Sequence, residues 1–185
     1  LSYLGATHQE ESDLPYKSII AFNENAAILH YQNLDSVVKG KSFLIDAGAS
    51  YNGYCSDISR TYASESCHPL FSELITALES DQIQLCESAK VGLPYETLQT
   101  MAHNLLFDLL KEFKIIIDSN IEDKNKLQLT QAFFPHGIGH GLGIQVHDVG
   151  GFTLDDQGNC GKRSESHPFL RTNRIIQEND VLTIE

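Results

Sequence analysis

Asn52-Gly53 sits between two runs of alternating apolar and polar residues in SFLIDAGASYNGYCSDISRTY, and this dipeptide commits the chain to reversing there as a β-hairpin. A two-residue type I′ turn needs positive φ at both central positions, which Asn and Gly tolerate better than other residues. With Asn52 and Gly53 as the loop, Asp46 faces Ser59 and Asp57 faces Gly48. Side chains alternate along a strand, so Asp46, Gly48 and Ser50 share one face with Cys55 and Asp57. The two carboxylates, eleven residues apart in sequence, then become diagonal neighbours about 7–8 Å apart between backbones. Like charges so placed repel, and a positive charge is expected between them. A solvent-facing edge hairpin is the alternative, but FLIDAG is too apolar ahead of Asp46 to read as a surface strand.

The 185 residues suit one domain with an ample core, and a composition of 41% hydrophobic and 21% charged residues is ordinary for a globular chain. No run of eighteen apolar residues and no signal-peptide pattern is visible, so no membrane partner is expected. A net charge of −12 argues against nucleic acid, which needs clustered Lys and Arg, and favours cations. Cys55, Cys67, Cys86 and Cys160 form no C-x-x-C motif and read as free thiols of a reducing, cytoplasmic compartment. Leu1 and Glu185 both read as cut ends of a longer protein.

Along the chain, residues 17–31 read as two short strands around Asn23-Glu24-Asn25, ahead of the Asp hairpin at 42–62. A helix is expected over about 69–90, with Leu70, Phe71, Leu74, Ile75 and Leu78 as its apolar stripe behind Pro69. A second helix opens near Pro94, with Leu98, Met101, Ala102, Leu105, Leu106, Leu109 and Phe113 at core spacing. Residues 118–126 read as a loop or a short capped turn, and VLTIE at 181–185 as a strand. Strands, then helices, then strands predict an α+β fold with helices on one face of a mainly antiparallel sheet.

His136, His140 and His147 stand out in PHGIGHGLGIQVHDVGG. Two histidines four apart suggest the helical zinc motif, but the Glu of H-E-x-x-H is missing and glycines at 137, 139, 141 and 143 disfavour a helix. A looped or extended segment whose glycines allow close backbone approach fits better. His8, His68, His103 and His167 read as ordinary structural or surface histidines, His103 most plainly because it falls in a helical pattern. Glu185 closes an apolar strand and needs a partner such as a metal. Two Asp, one His and one Glu suit Mn²⁺, Co²⁺ or Zn²⁺ better than a thiolate-seeking metal.

The runs LPYKSIIAFNENAAILHY, SFLIDAGASYNGYCSDISRTY, FFPHGIGHGLGIQVHDVGGF, HPFLRTNR and VLTIE resemble the catalytic domain of the pita-bread metallopeptidases. Within that family the chain is similar to the Xaa-Pro dipeptidase (prolidase) subgroup and to the related organophosphorus acid anhydrolases. The resemblance implies a pita-bread fold whose C-terminal part is missing here, 1–185 being a partial catalytic domain. It implies metal ligands at Asp46, Asp57, His140 and Glu185 for two divalent ions, Mn²⁺ first and Co²⁺ or Zn²⁺ as alternatives. His147 is implied to contact the substrate at the reacting carbonyl, and His30 and Arg171 to face the substrate near its C-terminal carboxylate. A fifth ligand, a Glu on a later strand that also serves as general base, lies beyond Glu185, so this segment alone is expected to be inactive. The implied activity is hydrolysis of Xaa-Pro dipeptides by metal-activated water, with phosphotriester hydrolysis as a side activity, in a parent that forms a homodimer. The rival readings are an aminopeptidase P or methionine aminopeptidase-like enzyme, and a non-catalytic pita-bread binding module.

Overall fold

The computed structural model describes residues 2–33, 40–117, 121–155 and 157–185, which fall into two compact units. The first comprises residues 2–75 with 142–146, and the second residues 76–141 with 147–185.

The first unit is built on an antiparallel sheet in which β2 (Ser42–Ala47) lies between β1 (Ile19–Phe22) and β5 (Ile58–Ala63). Strand β1 shows the burial alternation of a half-covered sheet, Ile19 and Ala21 inward and Ile20 outward. Asn23 ends it at a φ of +53°, and its Oδ1 accepts a 2.7 Å hydrogen bond from Lys41 N–H, tying the end of β1 to the start of β2. Beyond Asn23 the expected second strand does not form. Residues Asn23–Ala27 wind into a 3-10 helix and His30 lies in an exposed turn, because Asn23, Asn25 and two Ala residues support local turns better than a ladder.

The hairpin has the register predicted from its turn. Asn52 and Gly53 have φ of +50° and +85°, Tyr51 pairs with Tyr54, Ser50 with Cys55, and Asp46 with Ser59. The ladder is interrupted between its base and its tip, where β3 (Ser50–Tyr51) and β4 (Tyr54–Cys55) form a separate two-stranded piece. At the interruption Ser56 N–H still reaches Ala49 O, but the Ser56 hydroxyl takes Ala49 N–H in place of a backbone carbonyl. Asp57 therefore lies just before β5 rather than within a strand, a correction to the expected pairing with Gly48. The unit also holds α1 (Ser2–Thr7) and the start of α2 (Pro69–Ser88), whose first free N–H groups include Leu70 N–H, taken by His68 Nδ1.

The second unit is centred on α3 (Tyr95–Glu112), with Glu96 in its first turn and Lys111 in its last, matching the helix dipole. Leu98, Ala102 and Leu109 are buried as expected. Leu98 and Ala102 pack with Leu85, Tyr95, Ile138, Leu170 and Ile176. The stripe predicted on α2 is not a core face: Leu70 is 38% and Leu78 54% exposed, and Leu85 near the C-terminal end supplies the helix's buried contact. Residues 118–120 lie outside the described part, and from Asp123 the expected loop is instead a helix, α4 (Asp123–Phe133), packed against α3. VLTIE makes one isolated bridge, Gly141 with Leu182, rather than a continuous strand. Among the described residues no helix is long and apolar enough to cross a membrane.

Candidate metal centre

In the first unit, strand register and one tyrosine define an acidic group. Tyr16 Oη lies 2.6 Å from Asp46 Oδ1 and 2.7 Å from Asp57 Oδ1, so both carboxylates turn to the same face, as the register required. Both are half-buried. A phenol carries one proton, so it donates to one carboxylate at a time, and the concentrated negative charge remains. Burial, followed by the hydrogen bonds to Asp46 and Asp57, drives the Tyr16 pKa well above that of an ordinary phenol. Tyr3 donates to Gly48 O beside Asp46, and burial with the Asp46 charge raises its pKa as well.

In the second unit the site is built from two segments forty or more residues apart in sequence. Thr183 N–H donates to His140 O at 2.9 Å and Glu185 N–H to Ile138 O at 2.8 Å. His140 N–H donates in return to the Thr183 hydroxyl at 3.0 Å, and that hydroxyl donates to Glu185 Oε1 at 2.8 Å. One threonine thus orients the backbone of the histidine and the carboxylate of the glutamate. A side chain standing in for a carbonyl explains why 181–185 is not a regular strand. The close approach depends on Gly139, where φ is +154° and a Cβ would collide with Thr183 O and lie 2.6 Å from Tyr95 Oη. Tyr95 donates to Thr183 O at 2.6 Å, and burial, then the charge of Glu185, raises its pKa strongly.

His140 is 3% exposed, and its Nδ1–H donates to Gly141 O at 2.9 Å. That bond selects the tautomer whose Nε2 carries a lone pair, as in metal-ligating histidines. Nε2 stands 3.0 Å from Glu185 Oε1. Two donors each about 2.1 Å from one ion at a right angle lie about 3 Å apart, so the pair has the bite of adjacent ligands. The exposed ring of His147 meets His140 edge-on, with centroids 4.4 Å apart and planes at 88°. The segment 136–148 contains no helix, as its glycines predicted.

The structure therefore brings Asp46 and Asp57 together in one unit, and His140, His147 and Glu185 together in the other. His30 and Arg171 are both exposed. Their roles rest on the resemblance. Sequence reasoning missed Tyr16, Tyr95 and Thr183. Only Thr183 had a local signal, since a period of two puts it on the face of Glu185.

Residues 3–185 match the model of metallopeptidase family M24. The chain is 47% identical over 185 residues to the Xaa-Pro dipeptidase of Shewanella pealeana, covering 99% of this chain and 41% of that protein. It is 47% identical over 186 residues to the Xaa-Pro dipeptidase of Pseudoalteromonas haloplanktis, covering 42% of that protein. The chain spans about two fifths of the length of these curated relatives. Among solved structures, a variant of Escherichia coli aminopeptidase P superposes with a TM-score of 0.68 at 25% identity over 92% of this chain and 36% of that one. A Thermococcus sibiricus prolidase superposes at 0.66 and 22% identity over 98% and 40%. The α+β, pita-bread architecture expected from the sequence is the fold of these structures.

Proposed function

Because the chain belongs to metallopeptidase family M24, we propose that it carries the metal site of an enzyme hydrolysing Xaa-Pro dipeptides, with Asp46, Asp57, His140 and Glu185 ligating two divalent cations. The observation that carries the reading is 47% identity across 99% of the chain to an Xaa-Pro dipeptidase. The donor sets support the metal on independent grounds. Asp46 and Asp57 crowd two oxygens onto one phenol, and His140 is held in the ligating tautomer beside Glu185. Hard oxygen donors with one imidazole favour Mn²⁺, with Co²⁺ or Zn²⁺ as alternatives.

Bound divalent cations supply a lowered pKa for water and polarisation of the scissile carbonyl. The protein's own part is to place charge and donors. Asp46 and Asp57 hold negative charge on one face, while Thr183 fixes Glu185 against His140. His147, exposed at the edge of the His140 ring, is the donor we assign to the reacting carbonyl. Arg171 is assigned to the substrate's terminal carboxylate, where its planar fork makes paired hydrogen bonds, with His30 beside it. We place 1–185 as part of a larger catalytic domain in a homodimeric, cytoplasmic enzyme. Four free cysteines support the reducing compartment, and the charge of −12 disfavours nucleic acid.

The test assays the full-length parent, stripped with chelator and reloaded with Mn²⁺, on an Xaa-Pro dipeptide and an Xaa-Pro-Xaa tripeptide. Metal-dependent cleavage of the dipeptide is expected. Preference for the tripeptide would move the assignment to aminopeptidase P, and metal binding without hydrolysis would make the protein a binding module. Arg171→Met should lower kcat/KM for dipeptides by about 30- to 1000-fold, the loss of a desolvated charge-assisted contact of about 2–4 kcal/mol. Peptide amides, which lack the carboxylate, should respond little.

A further inference from the structure

Behind the glycine-rich segment, the second unit buries a chain of polar side chains that the metal site does not use. Gln99, His103 and Thr130 are 2%, 5% and 0% exposed. Gln99 Oε1 accepts Ile138 N–H, which fixes the orientation of its amide. Its NH₂ then faces His136 O at 3.3 Å and His103 Nε2 at 2.9 Å. Because that NH₂ donates, His103 Nε2 must accept, so the ring proton resides on Nδ1. Nδ1 lies 2.9 Å from Thr130 Oγ1. The Thr130 hydroxyl spends its single proton on the carbonyls of Lys126 and Leu127, both at 3.0 Å, leaving a lone pair for His103. Donation runs one way along the chain, from Ile138 N–H through Gln99 and His103 to Thr130 and the carbonyls of α4, while the second Gln99 N–H donates to His136 O.

We propose that Gln99, His103 and Thr130 form a directional hydrogen-bond relay that fixes the His136–Ile138 backbone two residues ahead of His140, making Gln99 and His103 positioning residues whose action requires a neutral His103. A proton on Nε2 would point at the Gln99 NH₂. Relief by flipping the amide would turn NH₂ against Ile138 N–H and a carbonyl oxygen against His136 O, breaking both backbone contacts at once. The surroundings favour the neutral ring. His167 stacks on His103 at 5.4 Å, Phe134 lies at 5.1 Å, and burial with the nearby His167 and His136 rings pushes the His103 pKa down to about 4. Of the other charged groups on the packed elements, Glu96 on α3 acts on His167, and the Lys126 ammonium of α4 lies over the Phe107 ring. The void lined by Gln99, His103, His136 and His167 is about 10 Å³, room for at most one water and no ligand.

The consequence for metal binding rests on His140 being a ligand, whereas the relay itself is read without metal. Long-range ¹H–¹⁵N spectra of the protein at pH 7.5 should show His103 as the Nδ1–H tautomer. On acidification the Ile138 amide should move with the His103 ring, at a midpoint at least one pH unit below an ordinary histidine. An Nε2–H tautomer, or an Ile138 amide that follows only the His140 ring, overturns the relay. Gln99→Glu still accepts from Ile138 but cannot donate to neutral His103. It should raise the His103 midpoint by at least one unit and weaken Mn²⁺ affinity by about 10-fold, the scale of losing an outer hydrogen bond to a ligand. An unmoved midpoint overturns the relay, and unaltered Mn²⁺ affinity overturns the positioning role. A wild type that binds no Mn²⁺ removes the metal reading, while the spectra still decide the relay.

Discussion

The acidic half of the proposed site, in the first unit, and the histidine half, in the second, are built by opposite means. Asp46 and Asp57 come from one hairpin, and the turn at Asn52-Gly53 decides their shared face. His140 and Glu185 meet because a glycine-rich segment is pinned to a distant one through Thr183, with Gln99 pinning it from behind. A site made by register tolerates changes around it as long as the turn holds. A site made by tertiary hydrogen bonds should fail when any of several buried groups is altered, and that asymmetry is testable.

The largest effect should come from the proposed ligands, and it should be equal in the two halves if they serve one centre. In the full-length parent, Asp57→Asn and His140→Ala should each lower dipeptidase activity by about 1000-fold or more if these residues hold the proposed cations, since each would remove a donor that tunes a metal-bound water. Calorimetric titration with Mn²⁺ should show a weakened or missing site in both variants. A variant that loses activity with metal affinity intact would take that residue out of the ligand set.

Acid should separate the halves next. An ordinary histidine titrates at 6.5, whereas His103 is held near 4 in the folded protein. Between these values the unfolded chain takes a proton that the folded one refuses, so stability falls as the pH drops from 6.5 towards 4. Below about 4 the folded state accepts it too and the loss levels off. The full loss is on the order of 3 kcal/mol at most. Urea unfolding at pH 7.5 and 4.5 should show it, and His103→Gln should flatten the slope in this window.

Deleting a hydroxyl of similar reach from each half gives a smaller and more pointed contrast. Thr183→Val keeps the shape but strips His140 N–H and the Glu185 carboxylate of their shared partner, and should weaken Mn²⁺ binding by about 10- to 100-fold. Tyr16→Phe removes a proton that competes with a cation for Asp46 and Asp57, and should cause no loss of affinity. Equal losses in the two variants would mean that Tyr16 orients the carboxylates rather than covering them.

The same contrast decided what the sequence could reveal. The hairpin register was readable because two residues with positive φ suffice to set it, and α3 because its buried positions recur at helical spacing. Hydrophobic spacing misled at α2, where Leu70 and Leu78 stay exposed, since periodicity reports a stripe and not what covers it. It also missed α4, whose polar first turn resembles a loop. His140 and Glu185 could be picked out as donors by chemistry and by family resemblance. Their mutual placement could not, because it depends on Gly139, Thr183 and Gln99, and no local pattern joins residues that far apart. His103 read as an ordinary core histidine and is one by burial, but its tautomer follows from partners on two other segments.

The smallest expected effect probes the turn that the acidic half depends on. Gly53 has a φ of +85° with open space where a Cβ would stand, so Gly53→Ala should suffer only backbone strain, about 1–2 kcal/mol for a left-handed residue. If register alone holds Asp46 and Asp57 on one face, the surviving folded population should bind Mn²⁺ as the wild type does, because Ala47 still pairs with Ile58 and Asp46 with Ser59 across the stronger base of the hairpin. Stability measured by urea unfolding should drop while the affinity per folded molecule stays within about 2-fold, a change of less than about half a kcal/mol. A fall in affinity larger than the fall in stability would show that the turn at the tip also holds the carboxylates, and the hairpin would then be as dependent on distant contacts as the histidine half.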